Sequence, residues 1–312
     1  MPAAAGHRQR GHWFRNCLVT PLDYDFLRKC LKQQSGLALS ADKHYLVESR
    51  LLPLARNAGF KTLVEFVRIL KTGRDAGLMA SVVEAMTTNE SFFFRDKTPF
   101  EHFRRTIIPT LLAARRKTAV IRIWCAAAAG GQEPYSLAIC LNEMASEIAG
   151  WQIEILATDL STEVLDRARR GLYSQSEVQR GLPVKLLIKY FTQAADLWRI
   201  APEIRAMVKF RRLNIVADFA ALGTFDVIFC RNVLIYFDQE TKSEVLDRLA
   251  RVISSDGYLV LGAAETAVGL TNAFAMVADK PGLYMPCQSG SRMLAKETTH
   301  PRPRLVAISG GR

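Results

Sequence analysis

Residues 225–238 read Phe-Asp-Val-Ile-Phe-Cys-Arg-Asn-Val-Leu-Ile-Tyr-Phe-Asp, an apolar run with one acid that ends abruptly in Arg231 and Asn232. A continuous apolar run of this length is typical of a strand buried on both faces of a parallel sheet. In such sheets, ligands bind in the crevice outside the carboxyl ends of the strands. The segment therefore predicts a buried strand that delivers two polar side chains to a cleft.

Strand and helix patterns alternate from residue 118 onward. Apolar strands are predicted at residues 120–126, 153–158, 225–230 and 258–262, and helices at residues 133–148, 161–170 and 239–252. Residues 274–285 predict a closing hairpin that turns at Asp279-Lys280-Pro281-Gly282. This alternation predicts an α/β fold with a doubly wound (Rossmann-like) sheet over residues 119–286.

Residues 171–213 interrupt the alternation. Within them, residues 197–200 and 207–211 have the pattern of short antiparallel strands on either side of Pro202. We therefore expect an inserted small antiparallel β-subdomain, at about residues 171–213, that stands off the main sheet.

Residues 17–86 carry only helical patterns. Thr20-Pro21-Leu22-Asp23 is a capping sequence for a first helix, and a second helix is expected from Ser40, with an end or a kink near Pro53. Thr62 caps a third helix, and Gly73 and Gly77 are expected to close the segment. The prediction is a small N-terminal all-helical domain, joined to the sheet by a linker and connecting helix at residues 87–118.

The net charge of +12 does not by itself indicate nucleic acid, because more than half of it lies in residues 1–16 and 287–312. These two basic segments are predicted to be disordered tails. The six cysteines show no CxxC spacing and no accompanying histidine cluster, and no apolar run approaches the ~20 residues of a membrane span. We expect free thiols, no metal site and a cytoplasmic protein that is not integral to a membrane.

A possible ligand site follows the first predicted strand. Residues 126–131 are all Ala or Gly, and small residues let a backbone approach a ligand closely. Such turns are common, so this signal is weak alone. Asp159 strengthens it, because an acid that ends the second strand can accept hydrogen bonds from both hydroxyls of a ribose. The alternative role for Asp159 is the N-cap of the next helix, although Ser161 can also serve there.

Four segments, in this order along the chain, resemble the CheR family of chemotaxis methyltransferases. They are residues 87–96 (Thr-Thr-Asn-Glu-Ser-Phe-Phe-Phe-Arg-Asp), residues 132–138 (Gln-Glu-Pro-Tyr-Ser-Leu-Ala), residues 157–159 (Ala-Thr-Asp) and residues 231–238. The resemblance covers roughly residues 20–286. It implies an S-adenosylmethionine-dependent methyltransferase sheet, with S-adenosylhomocysteine as a product, that methylates glutamate side chains on chemoreceptors. It also implies a cofactor site formed by Asn89, Ser91, Arg95, Glu133, Asp159, Asn214, Ile215, Arg231 and Asn232.

The chain departs from the family pattern in the turn. The family often has a glycine where this chain has Ala127, and an acid where it has Gln132. An alanine held at positive φ is strained, so either the turn does not require positive φ there or cofactor binding is weakened. We expect that the turn does not require positive φ at Ala127.

Methylation of a carboxylate requires no general base, because glutamate has a pKa near ~4.3 and is already anionic at neutral pH. The enzyme must instead align the reacting atoms and remove water from the nucleophile. The candidate catalytic residues are Arg95, which can hold a carboxylate, and Tyr236, which can orient the acceptor oxygen. The alternatives are a salt bridge from Arg95 to Asp96, or to another surface acid, and a packing role for Tyr236.

The resemblance implies an acidic helical bundle of a chemoreceptor as the partner. The helical domain supplies a candidate docking stripe, Arg28, Lys29, Lys32, Lys43, Arg50 and Arg56, although the interleaved acids leave a merely solvated face as an alternative. Some family members bind a receptor's C-terminal pentapeptide through a glycine-rich loop in the β-subdomain. Residues 192–197 are short and contain no glycine, so we expect a pentapeptide-independent enzyme.

Two other functions remain open. A nucleic-acid methyltransferase is disfavoured, because no Pro-Pro motif follows the fourth strand and the only Pro-Cys pair, at residues 286–287, lies far from the expected cleft. A non-catalytic S-adenosylmethionine-binding sensor or scaffold is supported only by the alanine-rich turn. We expect an enzyme that acts as a monomer and binds no nucleic acid.

Overall fold

The computed structural model describes residues 19–287. The two predicted tails, residues 1–16 and all but the first residue of 287–312, lie outside this part of the chain. Within it, a helical domain packs against an α/β domain, and no helix is both long and apolar enough to cross a bilayer.

The N-terminal domain contains four helices, α1 (Pro21–Ser35), α2 (His44–Asn57), α3 (Leu63–Lys71) and α4 (Ala76–Met86). The Thr20 hydroxyl accepts a hydrogen bond from the Asp23 N–H at 3.2 Å, so the predicted cap of the first helix is confirmed. The second helix does not begin at Ser40. It begins at His44 and continues past Pro53, whose exposed ring lets the helix persist with the loss of one backbone hydrogen bond.

The sequence does not predict the fourth helix, because Gly77 is expected to close the helical segment. The Asp75 carboxylate accepts a hydrogen bond from the Leu78 N–H at 2.8 Å and so caps α4. Gly77 therefore lies in the first turn of a helix, where its low helix propensity is offset by the cap.

The α/β domain begins with a connecting helix formed by α5 (Thr98–His102), a π-helical turn (Phe103–Ile107) and α6 (Ile108–Ala114). Its seven-stranded sheet has the order β6-β2-β1-β7-β8-β10-β9. The strands are β1 (Val120–Ala126), β2 (Gln152–Asp159), β6 (Val208–Arg212), β7 (Phe225–Cys230), β8 (Ile253–Leu261), β9 (Phe274–Met276) and β10 (Leu283–Pro286). The crossover helices are α7 (Gln132–Glu143), α8 (Thr162–Arg170) and α12 (Gln239–Arg251).

Strands β6, β2, β1, β7 and β8 are parallel, and β10 and β9 form the predicted antiparallel hairpin at one edge. All six residues of β7 are buried, as its continuous apolar pattern predicts. Ile123 and Cys125 face one core of the sheet, whereas Trp124 and Ala126 face the other. The predicted doubly wound architecture is confirmed.

The extent predicted for the β-subdomain is wrong. The small antiparallel sheet consists of β3 (Leu172–Ser174), β4 (Phe191–Ala194) and β5 (Leu197–Ile200), accompanied by the short helices α9 (Gln175–Gln179) and α10 (Val184–Tyr190). The chain then enters α11 (Pro202–Ala206) and returns to the main sheet, where β6 pairs parallel with β2. Strand β6 is at an edge and alternates Val208 and Phe210 with exposed cations, so it lacks the continuous apolar run of a central strand.

The helical domain packs over the carboxyl edge of the sheet. The Asn214 side-chain amide donates to the Gln34 carbonyl at 2.6 Å, and Lys32 Nζ lies 2.6 Å from an Asp238 carboxylate oxygen. The backbones approach closely at Gly36, where an added Cβ would lie 2.7 Å from a methyl of Val216. The packing therefore requires glycine at this position.

The turn from β1 to α7 has a backbone that the sequence did not lead us to expect. Ala127 has φ 60° and Ala129 has φ 46°, so the expectation that position 127 needs no positive φ is wrong. The turn is held by hydrogen bonds from the Ala128 N–H to the Thr158 carbonyl at 2.8 Å and from the Ala129 N–H to an Asp159 oxygen at 2.8 Å. These bonds to β2 impose a left-handed conformation on residues that carry a Cβ.

We predict that Ala127→Gly stabilises the protein by about 0.5–1 kcal/mol. Glycine removes a left-handed strain of about 1–2 kcal/mol but adds unfolded-state entropy worth about 0.4–1 kcal/mol. Urea denaturation measures the change, and Ala128→Gly is the matched control, because residue 128 has no positive φ and should lose stability. An Ala127→Gly protein no more stable than wild type would show that the strain is absent.

Candidate active site

A cleft opens at the carboxyl ends of β1, β2 and β7, on the side covered by the helical domain. It contains about 900 Å³ free of protein atoms, including the solvent at its mouth. All ten residues predicted for cofactor binding or catalysis line it: Asn89, Ser91, Arg95, Glu133, Asp159, Asn214, Ile215, Arg231, Asn232 and Tyr236. The structure therefore brings them together from five separate parts of the chain, and their binding roles stay predictions.

Asp159 ends β2 at the floor of the cleft. One carboxylate oxygen accepts from the Ala129 N–H at 2.8 Å and the other from the Ser161 N–H at 3.0 Å. The cap of α8 is Ser161, whose hydroxyl accepts from the Val164 N–H, so Asp159 is not needed as an N-cap. Burial raises the pKa of the Asp159 carboxyl, and these backbone N–H groups partly oppose the rise. The acid thus joins the β1–α7 turn to the cleft floor.

Arg231 forms a buried ionic cluster at the end of β7. Its guanidinium, 1% exposed, lies 2.7 Å from a Glu133 carboxylate oxygen and 2.7 Å from an Asp96 carboxylate oxygen. It also donates to the Arg95 carbonyl at 2.9 Å. Burial raises the pKa of the Glu133 carboxyl, and the Arg231 charge opposes the rise. The cluster connects β7 and α7 with the segment that carries Arg95.

We call that segment, residues 87–97, the strap. The strap contributes Asn89, Ser91 and Arg95 to the lining of the cleft. Phe94, Asp96 and Lys97 all have positive φ, so the strap is strained at its C-terminal end.

Three units hold the strap. From the helical domain, Arg50 donates to the Met86 carbonyl at 2.6 Å and to the Thr87 carbonyl at 3.1 Å. From the α/β domain, the buried Ser136 hydroxyl accepts from the Phe94 N–H at 3.0 Å. Beside the small sheet, Arg180 pairs with Glu90 at 2.6 Å. The strap is therefore fixed at both ends and in its middle.

The Arg95 guanidinium donates to the Glu90 carbonyl at 3.2 Å and lies 5.4 Å from the centre of the Phe92 ring. Asp96, the alternative partner considered for Arg95, pairs with Arg231 instead. Tyr236 ends a 3₁₀ turn (Leu234–Tyr236) and is half-buried in the cleft wall. Both candidate catalytic side chains thus face the same space.

The six predicted docking residues divide into two sets. Arg28 donates to the Leu39 carbonyl, Lys32 pairs with Asp238, and Arg50 holds the strap, so these three cations are used within the protein. The other three, Lys29, Lys43 and Arg56, are exposed. Receptor docking by any of the six remains a prediction.

Sequence reasoning missed Glu265, which lies in the loop after β8 and accepts hydrogen bonds from the backbone around Asn232. It also missed the contact of Arg50 with the strap. Neither residue belongs to a recognisable motif. An acid 33 residues from its partner gives no local signal of the contact.

Residues 89–282 match the family described as "CheR methyltransferase, SAM binding domain", and residues 22–87 match "CheR methyltransferase, all-alpha domain". Chemotaxis protein methyltransferase 1 of Pseudomonas aeruginosa is 41% identical over 265 residues, covering 84% of this chain and 96% of that protein. The protein of the same name from Vibrio cholerae is 39% identical over 270 residues, covering 85% and 97%. The chemotaxis protein methyltransferase of Escherichia coli is 34% identical over 258 residues, covering 80% and 86%.

These matches span both domains, and they confirm the resemblance that the four sequence segments indicated. The chain belongs to the CheR methyltransferase family and is an S-adenosylmethionine-dependent methyltransferase of the chemotaxis type.

Proposed function

We propose that this protein transfers a methyl group from S-adenosylmethionine to the side-chain carboxylate of glutamates on chemoreceptor helical bundles, giving glutamate methyl esters. The observation that carries the proposal is the convergence of Arg95, Arg231 and Tyr236 on one cleft beneath a basic helical domain. We further propose that the enzyme acts as a monomer in the cytoplasm, needs no metal cofactor and binds no nucleic acid.

The lining of the cleft fits S-adenosylmethionine in its chemistry. Asp159 offers carboxylate oxygens to ribose hydroxyls, and the apolar side chains of Leu160 and Ile215 offer a surface to the base. The buried Nε of Arg231 has no acceptor among the described residues, while the other two nitrogens of the guanidinium bind Glu133 and the strap. Asn89, Ser91, Glu133, Asn214 and Asn232 complete the polar wall. The bound cofactor supplies a methyl group on a sulfonium, an electrophile that a carboxylate can attack.

The residues of the chain then have to orient and desolvate the acceptor. The attack joins an anion to a cation and gives neutral products, so stabilisation of new charge contributes little. None of the described residues that line the cleft is a histidine, in keeping with a reaction that needs no general base. Arg95 holds a carboxylate, either the acceptor's or the cofactor's, and the Tyr236 hydroxyl orients the acceptor oxygen. The strap and the helical domain exclude water.

We predict that labelled methyl from S-adenosylmethionine appears on cytoplasmic fragments of chemoreceptors as a base-labile ester. Arg95→Ala should lower the rate by roughly 100-fold, because a carboxylate displaced by about 1 Å from the reactive geometry can lose that much. The control is Arg105→Ala, because Arg105 is exposed on the connecting helix outside the cleft. Base-stable label, or no label from a protein that binds the cofactor, would contradict the proposal.

The exposed cations of the helical domain are proposed to dock the receptor fragment. Arg56→Glu should raise the apparent KM for the receptor fragment about three- to tenfold at low salt, with cofactor binding unchanged, because a complementary surface charge is reversed. The effect should shrink as salt screens it. Arg50→Gln is the comparison variant and should weaken cofactor binding instead, because Arg50 holds the strap. Unchanged KM for Arg56→Glu at low salt would remove Arg56 from the docking surface.

The enzyme is also proposed to work without a receptor pentapeptide. The β4–β5 turn spans Ala194–Leu197, and Ala195 adopts φ 53° without the help of a glycine. This tight turn offers no long loop to close over a peptide strand. We predict no saturable binding of a receptor C-terminal pentapeptide in calorimetry, and measurable binding would refute this part of the proposal.

A further inference from the structure

Glu265 makes an unusual set of contacts with the backbone of residues 232–235, two of which, Asn232 and Val233, line the cleft. One carboxylate oxygen accepts from the N–H groups of Val233, Leu234 and Ile235 at 2.9, 2.8 and 3.3 Å. The other accepts from those of Asn232 and Gly262 at 2.7 and 2.8 Å. Five backbone donors therefore converge on a single anion, an arrangement that forms an anion-binding nest.

The nest depends on close approach at Gly262. An added Cβ there would lie 2.7 Å from a Glu265 oxygen and 2.8 Å from the side-chain nitrogen of Asn232. A residue larger than glycine would push the carboxylate away from its donors. The carboxylate and the glycine thus act as one unit at the end of β8.

The segment bound by Glu265 carries two residues of the proposed site. Asn232 has φ 58°, a left-handed conformation that needs support, and its N–H donates the 2.7 Å bond to Glu265. The N–H groups of Leu234 and Ile235 begin the 3₁₀ turn that ends at Tyr236, and an isolated turn of this length has no partners of its own for them. Glu265 therefore fixes a cofactor-facing residue and a substrate-facing residue together.

We propose that Glu265 is a positioning residue for methyl transfer: its carboxylate fills the nest of residues 232–235 and so sets the orientation of Asn232 toward the cofactor and of Tyr236 toward the acceptor. The proposal rests on the proposed function for the role of Tyr236. Its effect on Asn232 concerns the cofactor alone and is tested separately.

The test measures S-adenosylmethionine binding by calorimetry, together with methyl transfer, in Glu265→Ala and Glu265→Gln. Glu265→Ala should weaken cofactor binding about tenfold or more, because charged hydrogen bonds to several donors are lost. Formate at tens of millimolar, a carboxylate small enough for the vacated nest, should recover most of the affinity. Glu265→Gln should be weakened but not rescued, because its amide fills the space and turns a donor toward the N–H groups. Glu147→Ala, at an exposed acid, is the control and should behave as wild type with and without formate.

Wild-type affinity in either Glu265 variant would overturn the proposal. So would a folded Glu265→Ala protein whose lost affinity formate does not restore, because that pattern indicates a packing role. If Glu265→Ala does not fold, wild-type cofactor binding by Glu265→Gln still refutes the proposal. Cofactor binding that follows the expected pattern without any methylation of receptor glutamates would refute the proposed function and leave the nest intact.

Discussion

The buried guanidinium of Arg231 joins three parts of the chain that are far apart in sequence. It pairs with Glu133 at the start of α7 and with Asp96 in the strap, and it also binds the strap's backbone through the Arg95 carbonyl. A buried charge of this kind is costly without partners, and loss of one partner from such a pair typically costs about 3–5 kcal/mol. The strained backbone at Phe94, Asp96 and Lys97 persists because this cluster and Ser136 over-determine its position.

The central strands were predictable because each is buried on both faces. The bounds of β1 and β7 agree with the predicted segments, since a parallel strand in the middle of a sheet is almost entirely apolar, and Arg122 and Asp226 are the only charged residues of these two strands. The strand predicted at residues 207–211 exists as β6 but was assigned to the wrong sheet, because it lies at an edge and alternates apolar residues with cations, a pattern shared with small antiparallel strands. The fourth helix was not predictable from Gly77, because the N-cap at Asp75 stabilises the helix more than the glycine two residues later destabilises it.

Motifs predicted which residues line the cleft, but they did not predict the hydrogen bonds that hold those residues in place. Motifs identify residues one at a time, and all ten of those predicted line the cleft. The hydrogen bonds of Arg50 with residues 86 and 87, and of Glu265 with residues 232–235, join distant segments that carry no shared local pattern. The positive φ of Ala127 likewise follows from bonds to β2, which only the folded chain supplies.

The contact between α4 and α8 crosses the boundary between the two domains of the family. Glu84 of the helical domain accepts from the Ser161 hydroxyl and from the Glu163 N–H at the first turn of α8. The carboxylate that completes the start of a catalytic-domain helix is therefore encoded in the other module. A recombination event that exchanged the helical module would have to bring an equivalent acid with it, or leave a donor at that helix end without its partner. The junction near residue 88 separates two domains of the family, but hydrogen bonds cross it, so the two modules are constrained to change together.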